Sequence, residues 1–355
     1  MSVAGFLSGT LVLAREGYKP IEDIVVGDEV LTHLGRWRRV TTVSSRRSIP
    51  LRRVRAQGVK VTTTDEHQFW TRMMTIKHPR HTSVRSFGDP RWVAASELTR
   101  NHFLAQILPD VKPDGRAVEF WWFVGRYLAD GWRVRRKNGK PGIGWTVICC
   151  AHAEADELHR RIAAAGFHAT RQMGRTVVNF KIWANSLYRF LEPFGHLAHG
   201  KNLPGFALSL SREKSAALLD GYMSGDGHAR RGCRTATTVS KKLAFSMALL
   251  AQRAGVVASI CRYVPSKTAV IEGRLVRQRP KWSVTVPRRN QSGLVEGRYG
   301  WKKVKKSVWR GRGTVRDLSV EGDESYMADG AVVHNCRGCC PPVRATGARA
   351  VGGTE

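Results

Sequence analysis

Along residues 6 to 108 apolar and polar positions alternate in short runs broken by turns. Thr10-Leu11-Val12-Leu13, Glu29-Val30-Leu31-Thr32 and Val59-Lys60-Val61-Thr62 read as strands, with Gly17, Gly27-Asp28 and Gly35 as punctuation. The same texture returns over residues 316 to 334, where Leu318, Val320, Tyr326 and Val332-Val333 flank an Asp329-Gly330 turn. Between these stretches the period lengthens to that of helices, interleaved with basic, strand-like segments. The pattern predicts an α+β chain: an all-β module interrupted by an insertion of helices and strands.

The insertion repeats itself. Residues 123–131 match residues 219–227 at a constant offset of 96, and each copy is followed by basic strand-like sequence and a helix that stops at glycine. Those following helices are expected near 154 to 165, before Gly166, and near 241 to 254, before Gly255. Each half therefore reads as αββαββ. In each copy two small residues stand four apart, Gly125/Ala129 and Gly221/Gly225. Positions i and i+4 share a helix face, so two such helices can approach backbone to backbone. Asp130-Gly131 and Asp226-Gly227 then end the helices, each glycine being expected in a left-handed cap. Side by side, the helices bring Asp130 and Asp226 together where the dipoles are negative. Two such carboxylates call for a hard divalent cation, and Mg²⁺ is the expected cofactor.

Charge narrows the function. Lys and Arg total 59 against 28 Asp and Glu, for a net charge of +31. A chain so self-repelling is built to meet a polyanion, and nucleic acid is the expected partner, double-stranded DNA once the near-twofold pair of helices is taken into account. The tract 261–314 alone holds fifteen Lys and Arg against two acids, with Trp282, Trp301 and Trp309 among them, and is expected to face phosphate. No apolar run approaches the ~18 residues of a membrane span. Seven cysteines, an odd number, do not form a disulfide framework, and Met-Ser-Val-Ala does not begin a signal peptide. The expected location is the cytoplasm of a bacterial or phage-infected cell, in association with the nucleoid.

The segments GRYLADG (125–131) and DGYMSGDG (220–227) resemble the helices of the LAGLIDADG homing endonucleases. That resemblance implies metal binding by Asp130 and Asp226, a monomer with an internal pseudo-twofold, and site-specific double-strand cleavage of a long DNA site. It also implies a saddle of DNA-reading strands, here near 132–150, 170–182, 228–239 and 258–286. A lysine near the metal is common in that family, and Lys181, Lys201 and Lys281 are the candidates.

The flanks carry a different chemistry. At the C-terminal side stands Val333-His334-Asn335-Cys336. An asparagine amide can attack its own carbonyl and cleave the following bond, with an imidazole as proton donor, and Cys336 is a thiol nucleophile. Upstream, Thr64 and His67 stand three apart, a hydroxyl and an imidazole able to hydrogen-bond to a scissile peptide and protonate its leaving nitrogen. Together with Phe6-Leu7-Ser8-Gly9-Thr10, residues 21–28 and residues 315–321, these motifs resemble the successive splicing blocks of an intein.

The intein resemblance implies a Hint horseshoe fold and a host (extein) protein joined in cis. Thr64 and His67 match the residues that activate the upstream bond, and Asp317 the acid that manages thiol protonation. His334 and Asn335 match the cyclisation pair, and Cys336 the first downstream residue. The expected organisation is a stub at 1–4, splicing module at 5–110, endonuclease at 111–300, splicing module again at 301–335, and a stub at 336–355. One element is missing. The position of the first nucleophile falls on Gly5 or Ala4, so the first splicing step is expected to be blocked, the alternative being direct attack by Cys336. A DNA-binding remnant with an inactive nuclease is the other alternative.

Overall fold

The computed structural model describes residues 4–77, 84–136, 142–230, 232–265, 268–271, 273–290 and 293–335. Strands from both ends of the chain share one large antiparallel sheet, fourteen-stranded among the described residues. Its spine is a pair of long strands, Trp37–Ala56 and Tyr299–Val320, drawn from the two flanks and paired with several register shifts. The first strand, Phe6–Leu7, lies between Tyr299–Val320 and Val59–Thr63, with Phe6 opposite both Arg316 and Thr63. Strand Gly293–Glu296 already pairs with Tyr299–Val320, so the chain returns to this sheet before residue 301. The class is α+β. Among the described residues no helix is long and apolar enough to cross a membrane.

The middle of the chain forms two four-stranded sheets with the same internal order. In one, Gly131–Arg135, Gly144–Cys150, Val178–Ile182 and Thr170–Met173 are neighbours in that sequence; in the other, Gly227–Arg230, Cys233–Thr238, Lys281–Pro287 and Ser259–Tyr263. The helices between strands run Ala155–Ala164 and Lys241–Arg253, and each ends at a glycine with φ of +86° or +104° (Gly166, Gly255). Duplication of sequence has become duplication of structure.

Two central helices, Val118–Asp130 and Arg212–Gly225, join the halves. A Cβ placed on Gly125 would collide with the backbone of Leu218 and Tyr222, and one on Gly221 with that of Trp122 and Arg126. The contacts are reciprocal under the offset of 96, which is the pseudo-twofold expressed in atoms. Alanine at either glycine would gain about 1 kcal/mol of helix propensity, but the obstacle is a carbonyl of the partner helix, which cannot move aside as a side chain can. Gly125→Ala and Gly221→Ala are therefore each expected to destabilise the chain by about 3 kcal/mol in denaturant melts. Gly115→Ala, with open space around it, should cost nothing measurable.

The closing glycines of the central helices correct one expectation. Gly131 is extended, at φ −103° and ψ 157°, and Gly227 is not among the positive-φ residues either. Their requirement is steric: a Cβ at Gly131 would strike Tyr127, and one at Gly227 would strike the Met223 carbonyl. Glycine lets the chain turn from helix straight into the first saddle strand.

The tract 261–314 also departs from expectation, because it is divided among three sheets. Trp301 is only 2% exposed and belongs to the core, beside a fully buried Lys302 whose ammonium burial pushes down to about 7. Trp309 is exposed on the long strand of the large sheet, whereas Trp282 lies on a saddle strand under the Arg262 guanidinium. Strand pairing, which local composition does not encode, decides which of these tryptophans is buried.

One hydrophobic core is confined to the large sheet and takes residues from both flanks, Phe6, Val54, Phe69 and Leu104 with Leu318, Tyr326 and Val333. The other runs, among the described residues, from the large sheet into the inserted segment. It joins Leu13, Tyr18, Phe103 and Trp301 of the large sheet to Trp121, Tyr127, Leu218 and Phe245 of the inserted segment.

Candidate functional sites

The two aspartates come to the foot of the central helices. Asp130 is the last residue of the first helix and Asp226 caps the second. The Asp130 carboxylate lies against Gly225, the residue before Asp226, so the small-residue stripe brings the acids together. Burial raises the pKa of Asp130. Burial raises that of Asp226 too, and the Asp130 charge raises it further. Each carboxylate resists its own ionisation there.

The surroundings of the pair are not symmetric. Arg126, nearly buried, reaches Asp130 Oδ2 at 3.2 Å and Glu154 Oε2 at 2.8 Å. Lys201 donates from Nζ to the carbonyls of Tyr127 (3.3 Å), Leu128 (2.8 Å) and Ala129 (3.1 Å), satisfying the last turn of the first helix. Burial lowers the Lys201 pKa, and the charges of Asp226 and Asp130 oppose that. Of the three candidate lysines, Lys201 is the one brought to the carboxylates. Lys181 sits within a saddle strand opposite Val147 and Thr170, and Lys281 opens another opposite Tyr263.

The donor set fits a hard divalent cation. Two carboxylates of raised proton affinity are oxygen ligands whose repulsion such an ion would relieve. The carbonyls at the end of the first helix are taken by Lys201. Among the described residues no group of three or more His, Cys, Asp and Glu side chains gathers to hold a metal. An ion at Asp130 and Asp226 would complete its shell with water and substrate phosphate, as Mg²⁺ commonly does.

A second site forms where the flanks meet. The Gly5 carbonyl accepts from Thr63 Oγ1 at 2.8 Å and from the Thr64 amide at 3.2 Å. The Phe6 and His67 rings meet edge-on at 4.2 Å. Thr64 Oγ1 and both ring nitrogens of His67 are buried without a hydrogen-bond partner among the described residues. Burial, with the nearby His334, pushes His67 down to about 3. Burial thus favours the neutral imidazole. It can polarise a peptide through an N–H but holds no proton in reserve.

Asp317 is buried opposite Ser44 and accepts from the Tyr326 hydroxyl at 2.7 Å. Tyr326 packs on Phe6, with ring centroids 6.1 Å apart. His334 Nδ1 lies 2.7 Å from the Asn335 carbonyl oxygen, and Trp92 packs edge-on to its ring at 4.8 Å. Oriented by its neighbours, the Asn335 amide donates to the Glu324 carbonyl at 2.7 Å and accepts from the Val320 amide at 3.2 Å. The Asn335 backbone N–H also donates to the Glu324 carbonyl, at 2.8 Å. In that orientation the side-chain amide also donates to His334 Nδ1 at 3.3 Å, so the imidazole adjoins both the side-chain amide and the carbonyl of Asn335. Cys336 lies outside the described residues.

Thr64, His67, Asp317, His334 and Asn335 converge on one region, and Asp130, Asp226 and Lys201 on another. Sequence reasoning missed Glu324, Trp92 and Arg126. Glu324 sits at φ +46°, a position strained for a residue with a side chain, and a Gly-Asp-Glu-Ser turn is the one local signal it leaves.

No family model matches the chain. Among curated proteins it is 25% identical to the ATP-dependent DNA helicase Hel308 of Thermococcus kodakarensis, over 93% of this chain and 36% of that protein. It is 27% identical to the iron-sulfur cluster assembly SufBD family protein Mb1496 of Mycobacterium bovis, over 93% of this chain and 42% of that protein. The chain thus spans less than half the length of each relative. Among solved structures, part of it is similar to I-DmoI in complex with DNA and Mn, a homing endonuclease, at a TM-score of 0.32 and 12% identity, covering 48% of this chain and 89% of that one. Another part is similar to the gp41-1 intein, at a TM-score of 0.19 and 19% identity, covering 26% of this chain and 84% of that one.

Proposed function

We propose that this chain is an intein: a Hint-type protein-splicing module, blocked at its first step by the glycine at position 5, carrying a duplicated LAGLIDADG-type, Mg²⁺-dependent DNA endonuclease. The observation that carries the reading is the meeting of Gly5, Thr64 and His67 with Asp317, His334 and Asn335 across an insertion that holds its own paired-aspartate site. A segment that must leave its host and join the flanking chains has to bring its two ends to one place. The pattern of relatives supports this. Nearly all of this chain matches a minor part of two proteins, a DNA helicase and an iron-sulfur assembly protein, whose named roles share nothing, as expected of a portable insert.

The nuclease half is supported by Asp130 and Asp226 at the base of the central helices, with two basic sheets beside them. A divalent cation there would act as a Lewis acid on a phosphodiester. Lys201 holds the helix end that carries Asp130, while the saddle strands supply cations toward DNA. Charge continues onto the large sheet. Burial lowers the Lys60 pKa, and the repulsion of Arg53, Arg55, Arg262 and Arg310 adds to it. Arg262 lies on a saddle strand and the other three on the long paired strands, so one cationic surface spans both modules.

Selection from a randomised duplex library cut by the purified chain in Mg²⁺ tests the nuclease. One long preferred site is expected, and cleavage of every sequence or of none would overturn this half of the reading. Binding should fall about 10³-fold or more between 50 and 200 mM salt if some six or more phosphates are contacted. Arg53→Gln and Arg310→Gln should each flatten the slope by about one unit. A salt-insensitive affinity would remove the cationic surface from the interface.

A further inference from the structure

Helix Lys241–Arg253 belongs to the second half of the repeat, yet its first side chain serves the other module. Lys241 Nζ lies 2.7 Å from Asp329 Oδ1 and donates to the Gly9 carbonyl, also at 2.7 Å. These acceptors lie on opposite flanks of the chain. Gly9 closes the turn after the strand that begins beside Gly5, and Asp329 opens the turn into Ala331–His334, the strand that delivers Asn335.

Asp329 is itself pinned. It is 4% exposed, stands at φ +43°, accepts from the Leu11 amide at 2.9 Å and donates its own N–H to the Leu11 carbonyl at 2.7 Å. Burial raises its pKa and Lys241 counters that. On the other side, the residue before Lys241 is anchored to the nuclease centre. Ser240 Oγ donates to the Lys201 carbonyl at 2.6 Å, and Lys201 grips the helix that ends in Asp130. Lys201, Ser240 and Lys241 therefore link the helix that ends in Asp130 to the hairpin of the downstream junction, partly by hydrogen bonds and partly through the chain itself.

We propose that Lys241 is a positioning residue for the splicing centre, a clasp lent by the endonuclease that holds the upstream junction segment and the downstream hairpin in place together. This rests on the splicing reading given above. A general stabilising ion pair would tie the helix to one segment. Here a single ammonium binds both, each a few residues from a bond to be broken, and adds Gly9 to the direct Leu11–Asp329 hydrogen bonds by which the two flanks already meet. The insertion is then not a detachable passenger, because removing it takes the clasp away.

The test uses the full chain with Lys241→Met, which keeps the alkyl stem, and Lys241→Arg, which keeps the charge. Hydrogen exchange is followed by mass spectrometry in peptides covering residues 5–12 and 326–335, and hydrolysis after Asn335 by intact mass. Lys241→Met is expected to speed exchange at least tenfold in both segments and to slow hydrolysis by a similar factor. Exchange in the central helices and duplex binding should stay within twofold of the parent, and Lys241→Arg should match the parent throughout. Unchanged exchange in either segment, loosening that extends to the central helices, or failure of Lys241→Arg to rescue would each overturn the clasp. A parent chain that never hydrolyses after Asn335, with the exchange pattern as expected, would instead remove the splicing reading and leave the clasp standing.

Discussion

Asp130→Asn and Asp226→Asn should each lower the rate of DNA strand cleavage by at least about a thousandfold, some 4 kcal/mol of transition-state stabilisation. Each change removes one of two carboxylates that the structure offers to an ion, and the remaining one, with Arg126 and Lys201 nearby, is too weak a ligand to hold a dication alone. DNA affinity should stay within a few-fold of the parent, because the loss of one negative charge among so many cations does not weaken phosphate contacts. Retained cleavage in both variants would show that the metal lies elsewhere.

The same variants have an opposite signature in stability, and its sign follows from the proton affinities. Both carboxylates have raised pKa values in the folded chain, from burial first and, for Asp226, from Asp130 as well. The folded state therefore holds these protons more tightly than the unfolded state does. The pair costs stability once pH exceeds the unfolded value near 4, and the cost grows until the folded pKa values are passed. Below the unfolded value the cost vanishes. At neutral pH without metal, either Asn variant should melt at or above the temperature of the parent. Added Mg²⁺ should raise the parent's melting temperature and leave the variants unmoved. The rise in melting temperature with Mg²⁺ should shrink on acidification, since protons compete with the ion for both carboxylates.

Much of this is legible in the sequence. Alternation marked the strands of the flanks, and helix periodicity placed the helices after each repeat within a residue or two of Ala155–Ala164 and Lys241–Arg253. The four-residue spacing of Gly125/Ala129 and Gly221/Gly225 foretold backbone contact because it is a property of one helix face. Contacts set by long-range pairing were not readable. Lys201 follows the short helix Leu197–Gly200 in a stretch without periodicity, and only the tertiary fold brings its ammonium under the Tyr127, Leu128 and Ala129 carbonyls. Trp301 and Trp309 look alike in a basic tract, and only the pairing of strand Tyr299–Val320 buries one and exposes the other. The Lys241–Asp329 pair joins residues 88 positions apart that no local pattern links.

Gly5→Cys should restore the missing first step, raising thiol-dependent release of residues 1–4 by at least about a hundredfold over the parent. The site is arranged for a group it lacks. Leaving Thr64 Oγ1 and the His67 nitrogens buried and unpartnered costs about 1–3 kcal/mol for each group, and all of them adjoin the Gly5 backbone that Thr63 and Thr64 hold. A thiol at position 5 would attack the Ala4 carbonyl, forming a thioester as the Ala4–Gly5 amide breaks and its nitrogen takes a proton. Neutral His67 and Thr64 are placed to polarise that peptide. The substitution carries a steric cost, since a Cβ there stands 2.9 Å from Val315 Cβ and φ is +155°. A loss of about 1–3 kcal/mol in stability is expected, with Val315→Ala as the relieving second change. Ala4→Cys, one residue short of the Thr63 and Thr64 contacts, should release nothing. In the Gly5→Cys background Asn335→Ala should stop release of the segment after residue 335 while leaving the upstream thioester intact, because that variant lacks the amide which Glu324 and Val320 hold. If mass spectrometry finds no thiol-dependent release with Gly5→Cys, alone or with Val315→Ala, the upstream centre is not a splicing site.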